Sequence, residues 1–166
     1  MGKLGRWGCA ALAVPWLAAA AHAQAPRAAV QNTPDMTFAT FAGMPSCVVG
    51  AVVDGDPAKG PSIVAMRASA GCSVPWHWHT ANERLMMVAG SAHVQMKDGK
   101  PEQLSPGGFS LMPSRHVHRF SCATKCMLYV QSDARFDMHY VDTQGNEIAP
   151  EQAVKGGGGK KAKKPK

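Results

Sequence analysis

The chain has 166 residues, with 18 Lys and Arg against 11 Asp and Glu, a formal net charge of +7 and 45% hydrophobic residues. That length supports one domain, long enough to bury roughly two-thirds of its surface. The positive surplus argues against nothing in the fold and little for nucleic acid, because much of it lies in Lys160 to Lys166, where no aromatic residue interleaves to stack a base.

Residues 1–23 read as a secretory signal peptide. Lys3 and Arg6 give a basic start, Trp7 to Ala21 are apolar and alanine-rich, and Ala21-His22-Ala23 is a small-x-small cleavage site. The apolar run is broken by Pro15 and falls short of the roughly 20 residues of a membrane span. No membrane span is therefore expected after cleavage, and the mature chain is expected to begin at Gln24 in the periplasm or outside the cell. Residues 24–35 then form an N-terminal extension, residues 36–150 a β-domain, and residues 151–166 a Gly/Lys-rich tail. The run Gly156 to Gly159 followed by lysines cannot bury apolar surface, so the tail is expected to be disordered and to serve solubility.

From Met36 onward, short β-segments alternate with turn residues. Met36 to Phe41 and Cys47 to Val53 come first, with breakers at Asp54 to Pro57 and Lys59 to Pro61. Ser62 to Ala70, Val74 to His79 and Glu83 to Val88 follow. Ala92, Val94 and Met96 alternate with His93, Gln95 and Lys97, the period of a half-buried strand. Asp98-Gly99 suits a primed hairpin turn. Glu102 to Ser105, Phe109 to Met112, His116 to Cys122, Cys126 to Ser132 and Phe136 to Val141 complete the set, with a short helix near Pro150 to Lys155. Many short strands at this spacing imply an all-β sandwich or barrel. There is no phosphate loop, nucleophile elbow or internal repeat.

Two of these segments carry chemistry. In a strand, residues i and i+2 share a face about 6–7 Å apart, so His77 and His79 can lean onto one ion, and Glu83 has the same parity. A second histidine cluster, His116-Val117-His118, arrives about one meander later. The first segment fits the cupin motif G-x5-H-x-H-x3-E-x6-G through Gly71, His77, His79, Glu83 and Gly90. The second resembles the shorter cupin motif G-x5-P-x-G-x2-H-x3-N through Gly107, Pro113 and His118. Arg115 stands in its second glycine position and Cys122 in its asparagine position.

The resemblance to cupins covers roughly Phe38 to Val141 and implies a double-stranded β-helix, or jelly-roll barrel. It also implies a site of His77, His79, Glu83 and His118 for one divalent transition metal ion. Nitrogen and carboxylate donors suit iron, manganese, nickel, copper or zinc alike. His116 could ligate in place of His118 or orient it, and is expected near the pocket with the same-parity residues Leu85 and Met87. Trp76 and Trp78 should face away from the ion, where they would suit a second sheet or a homodimer contact. Arg115 is placed to steer an anionic substrate or simply to face solvent.

Four cysteines remain after cleavage, an even number in an oxidising compartment, and they allow three pairings. Cys122 and Cys126 flank a three-residue turn, which favours a disulfide across a hairpin and leaves Cys47 with Cys72. Three function classes stay open. One is a cupin oxygenase, such as a dioxygenase, with Glu83 as ligand or catalytic proton acceptor. The others are a Lewis-acid isomerase or lyase, and a non-catalytic cupin that binds a small ligand.

Overall fold

The computed structural model describes residues 28–156; the signal peptide read at residues 1–23 and residues 157–166 of the tail lie outside the described residues. A 3-10 turn at Thr33–Asp35 precedes ten strands, β1 Val48–Gly55, β2 Ser62–Ala68, β3 Ser73–Trp78, β4 Glu83–Ala89 and β5 Ala92–Met96 being the first five. The rest are β6 Glu102–Leu104, β7 Phe109–Met112, β8 His118–Cys122, β9 Cys126–Ser132 and β10 His139–Tyr140, followed by helix α1, Pro150–Gly156.

The strands build two antiparallel five-stranded sheets, ordered β1-β2-β9-β4-β7 and β10-β3-β8-β5-β6. After β2 the chain changes sheet at every connection except β5 to β6, which gives the all-β jelly roll expected from the sequence. Alternation sorts the side chains. On β9, Cys126, Leu128, Val130 and Ser132 are buried while Met127, Tyr129 and Gln131 are half-exposed. Leu85, Met87, Leu128 and Val130 of the first sheet meet Val74, Ala92 and Val94 of the second in one core. Burying side chains of this size is worth about 1.5–3 kcal/mol each, the driving term for closing the two layers.

Two segments depart from the sequence expectation. Met36 to Phe41 is not a strand and contributes a single bridge, Ala39 to Gly50. Phe136 to Val141 shrinks to the two residues of β10, because the preceding Asp137 spends its carbonyl and carboxylate on the β3–β4 connection instead of a ladder.

Both disulfides are present, Cys47–Cys72 and Cys122–Cys126, with Cα separations of 5.7 and 5.9 Å. The second arises by a different geometry from the hairpin expected, since β8 and β9 belong to different sheets. It ties sheet to sheet across the turn. Cys72 and Cys122 also share a backbone hydrogen bond at one end of the β3–β8 pair, whereas His77 pairs with His118 near the other. Covalent closure and the histidines therefore occupy opposite ends of the barrel.

Candidate metal centre

Strand ends converge on the site. His77 is on β3, His79 lies just past its end, Glu83 opens β4 and His118 opens β8. Thr80 to Asn82 carries the chain from one sheet to the other, so His79 and Glu83 approach each other across the barrel. A register shift between Val74 and His77 marks a bulge in β3 around Pro75 and Trp76. Proline suits such a place, having no N–H to give to a ladder. Both Val74 and His77 consequently point inward, and Trp76 and Trp78 lie half-buried on the other side.

All four side chains, His77, His79, Glu83 and His118, are buried, and one candidate donor atom from each lies within 4.8 Å of the others. Each imidazole is oriented by a backbone carbonyl. His77 Nδ1 donates to Pro75 O at 2.6 Å, His79 Nδ1 to Asp137 O at 2.5 Å and His118 Nδ1 to His116 O at 2.8 Å. A carbonyl can only accept, so Nδ1 carries the proton in each neutral ring and Nε2 keeps a lone pair. Buried Nε2 atoms of His79 and His118 have no hydrogen-bond partner of acceptable geometry, although Glu83 Oε2 stands 3.5 and 3.2 Å away. Unpaired buried polar atoms are costly. Three inward lone pairs and a carboxylate are a donor set that fits a divalent ion, and these four residues could hold one.

The electrostatics agree. Burial, then the neighbouring charges of His118 and His79, push His77 well below the ordinary histidine range, so it is neutral at physiological pH. Burial opposes the charge on Glu83, but the facing His79 and His118 outweigh it and hold the carboxyl below its usual range. Burial likewise works against His79 protonation, and the Glu83 carboxylate overcomes it and raises that pKa. Without an ion the His79–Glu83 pair therefore holds a proton to higher pH than a free histidine would. Because ligation needs neutral imidazole, metal binding at pH 6.5 should release protons from this pair, the release declining as pH rises. Calorimetry in buffers of different ionisation enthalpy measures this directly; uptake without proton release at pH 6.5 would contradict the arrangement.

Other expected residues land differently. Leu85 lines the chamber beside the cluster, with Met66, Phe120, Phe136 and Met138 among its other walls. Met87 instead lies in the hydrophobic core, away from that lining. His116 is exposed, and it is its carbonyl, not its ring, that reaches the site. The reason is the turn itself: Arg115 sits at φ 60°, its N–H donates to His79 O at 2.8 Å, and the next ring is turned to solvent. Arg115 thus adopts the left-handed geometry for which the motif uses glycine, at a cost of roughly 1–2 kcal/mol. Its guanidinium lies 5.1 Å from the Trp78 ring centroid, whose plane also stacks on His139 at 3.8 Å, while Arg119 covers Trp76 at 4.8 Å. Arg115 does not line the chamber.

Sequence reasoning missed Asp137 and its neighbours. Besides accepting from His79, Asp137 takes the Thr80 N–H at 2.7 Å, and the Phe136 ring lies 4.4 Å from the His79 ring. Asn82 bonds Asp133 twice and accepts from Ser114 N. Asp133, Phe136 and Asp137 on one side and Ser114 and Arg115 on the other thereby fix the loop that joins two of the four candidate donors.

A protein-family model described as "Cupin domain" matches residues 65–131. Dimethylsulfoniopropionate lyase DddQ of Ruegeria pomeroyi is 34% identical over 74 residues, 43% of this chain and 35% of that protein. The chain thus matches only about a third of that relative's length. Among solved structures, the polyketide cyclase RemF of Streptomyces resistomycificus superposes with a TM-score of 0.61 at 18% identity, over 70% of this chain and 87% of that one. An RmlC-like cupin protein of Ralstonia eutropha gives 0.59 at 21% identity, over 74% and 78%. Likeness at these identities is one of fold.

Proposed function

We propose, from the cupin domain matched over residues 65–131, that this cupin chain is an exported metal-binding protein with small-molecule oxygenase activity. His77, His79, Glu83 and His118 would hold one divalent ion from the iron, manganese, nickel, copper and zinc group. A redox-active ion there would supply the electron transfer and the dioxygen chemistry. The chain's own residues would hold, shelter and orient. Pro75, Asp137 and His116 carbonyls fix the three rings, and Phe136 and Met138 cover the cluster. Glu83 is the catalytic candidate, as donor or as acceptor of a substrate proton.

One observation carries the oxygenase reading. Apart from His77, Glu83 and His118, every side chain lining the inner chamber is apolar, including Val48, Leu85, Leu128 and Val130. A sugar isomerase needs hydroxyl partners, and a lyase or isomerase working by proton transfer would find no acid or base in this chamber besides the candidate ligands themselves. Tyr140, the nearest tyrosine to His77, donates its hydroxyl to Gly43 O at 2.9 Å and is pushed by burial up to about 12. It is already engaged. A lyase remains the second reading, favoured by the 34% identity to a dimethylsulfoniopropionate lyase. Export is supported by the basic and apolar leader and by the two disulfides, which persist in oxidising compartments.

The deciding measurement is oxygen uptake by iron-, manganese-, nickel- and copper-loaded protein offered phenolic, thiol and keto-acid compounds. Uptake coupled to product and abolished by zinc is the expected result. Zinc-supported cleavage of dimethylsulfoniopropionate without oxygen would establish the lyase instead. Saturable binding with no product would leave a ligand-binding cupin.

A further inference from the structure

A second, larger cavity adjoins the inner chamber. Its volume is about 490 Å³, within the range of small-molecule sites, and the two share Met44, Met66, Val130, Phe136 and Met138. These five side chains stand between the outer cavity and the histidines. Three are methionines, flexible enough to re-pack around a ligand and able to contact an aromatic ring favourably.

The chemistry of the outer wall is one-sided. Phe41, Val64 and the shared residues make it apolar, and among the described residues no Lys, Arg or His side chain lines it. Its polar side chains are Ser62, Ser132 and Asp137. Ser132 Oγ already donates to Ala134 O. Asp137 is the one charged residue lining it, and its carboxylate is held by the Thr80 N–H with His139 at 3.4 Å. A carboxylate, phosphate or sulfate seated against this wall would give up part of its water, meet no cation among the described lining residues, and face a like charge. An unpaired ion in such surroundings is strongly disfavoured.

We infer that the site selects a small molecule with an apolar, preferably aromatic body that carries no anionic group remote from its metal-binding head. This rests on the metal-centre reading above for the head, and on the outer cavity alone for the body. Apolar phenols and related aromatic oxygen donors belong to the class; sugar acids, phosphate esters and aromatic acids with a distal carboxylate do not.

The test uses two probes of one shape, 4-ethylcatechol and 3-(3,4-dihydroxyphenyl)propanoate, differing by the tail carboxylate. Both are titrated anaerobically into zinc-loaded and metal-free protein, with calorimetry for affinity and the catecholate ultraviolet band for direct ligation. The neutral probe is expected to bind zinc-loaded protein at least about tenfold more tightly than the carboxylate, given the unpaired charge. Ala58→Lys, at an exposed position on the cavity wall, should supply the missing cation and shrink that gap to roughly threefold or less by pairing the carboxylate. Equal affinity of the two probes, or no binding of either to zinc-loaded protein, overturns the inference. A carboxylate penalty that persists in protein unable to hold zinc keeps the inference and overturns the metal centre.

Discussion

Replacing His77, His79 or His118 with alanine is expected to weaken divalent-ion binding by at least about a hundredfold, since even changes beyond the ligands cost ten- to a hundredfold. Each ring contributes one inward Nε2 and has its Nδ1 committed to a carbonyl, so no neighbouring group can replace the lost donor. Among the described residues, the one cluster of His, Cys, Asp and Glu suited to an ion is this one. The same substitutions should also lower metal-free stability, since each removes an Nδ1 bond to a carbonyl and opens a cavity, and His79 and His118 also face the buried Glu83. Two of the buried Nε2 atoms lack a hydrogen-bond partner of acceptable geometry, so the inner-side loss is mainly packing and the Glu83 interaction.

Thermal unfolding separates the two effects. An ion at a thousandfold excess over its Kd adds about 4 kcal/mol to the native state, or roughly 10–20 °C for a domain of this size. Wild-type protein should show that rise, and each alanine variant, measured against its own lowered metal-free midpoint, should lose most of it. His116→Ala should bind normally, because its ring is exposed and its carbonyl stays. Full stoichiometry in a His77→Ala, His79→Ala double variant would refute the assignment. Loss in His116→Ala with retention in His118→Ala would exchange the two histidines.

What the sequence made legible follows from how local its causes are. Same-face spacing brings His77 and His79 together within one strand end, and alternation in Ala92 to Met96 and Cys126 to Ser132 marks strands whatever they pack against. The strap at Phe136 to Met138 was not legible. Its alternation with Tyr140 mimics a strand, and only the partner 58 residues away, His79, reveals that Asp137 is bonded elsewhere. Met66, on β2, reaches the histidine end through sheet order rather than through spacing, and Met44 reaches it from the turn before β1. His116 shows the converse limit: its spacing copies that of His77, but one left-handed residue before it reverses where its ring points.

Gly90→Ala is expected to destabilise the fold by about 3 kcal/mol or more, the sum of a left-handed alanine and an overpacked backbone contact. Gly90 has φ +90°, and a Cβ built there would lie 2.0 Å from Lys125 O and 3.0 Å from Cys126 Cα. Both are backbone atoms, which cannot swing aside as a side chain would. Nor can the turn retreat easily: Ala123 N donates to Ser91 O, Ser91 N donates to Thr124 Oγ1, and the Cys122–Cys126 disulfide spans the same turn. Gly107→Ala is the control. Its φ is +82°, but no atom lies within 4 Å of the added carbon, so it should cost only the conformational term of roughly 1–2 kcal/mol. Denaturant midpoints at constant slope would measure both, and equal losses would show that the crowding at Lys125 is relieved by movement. Metal affinity supplies the second readout. Gly90 lies seven residues along from Glu83, about 23 Å of extended strand, at the disulfide end of the barrel. Molecules of Gly90→Ala that remain folded should therefore bind zinc as wild type does, which separates the packing duty at one end of β4 from the donor duty at the other.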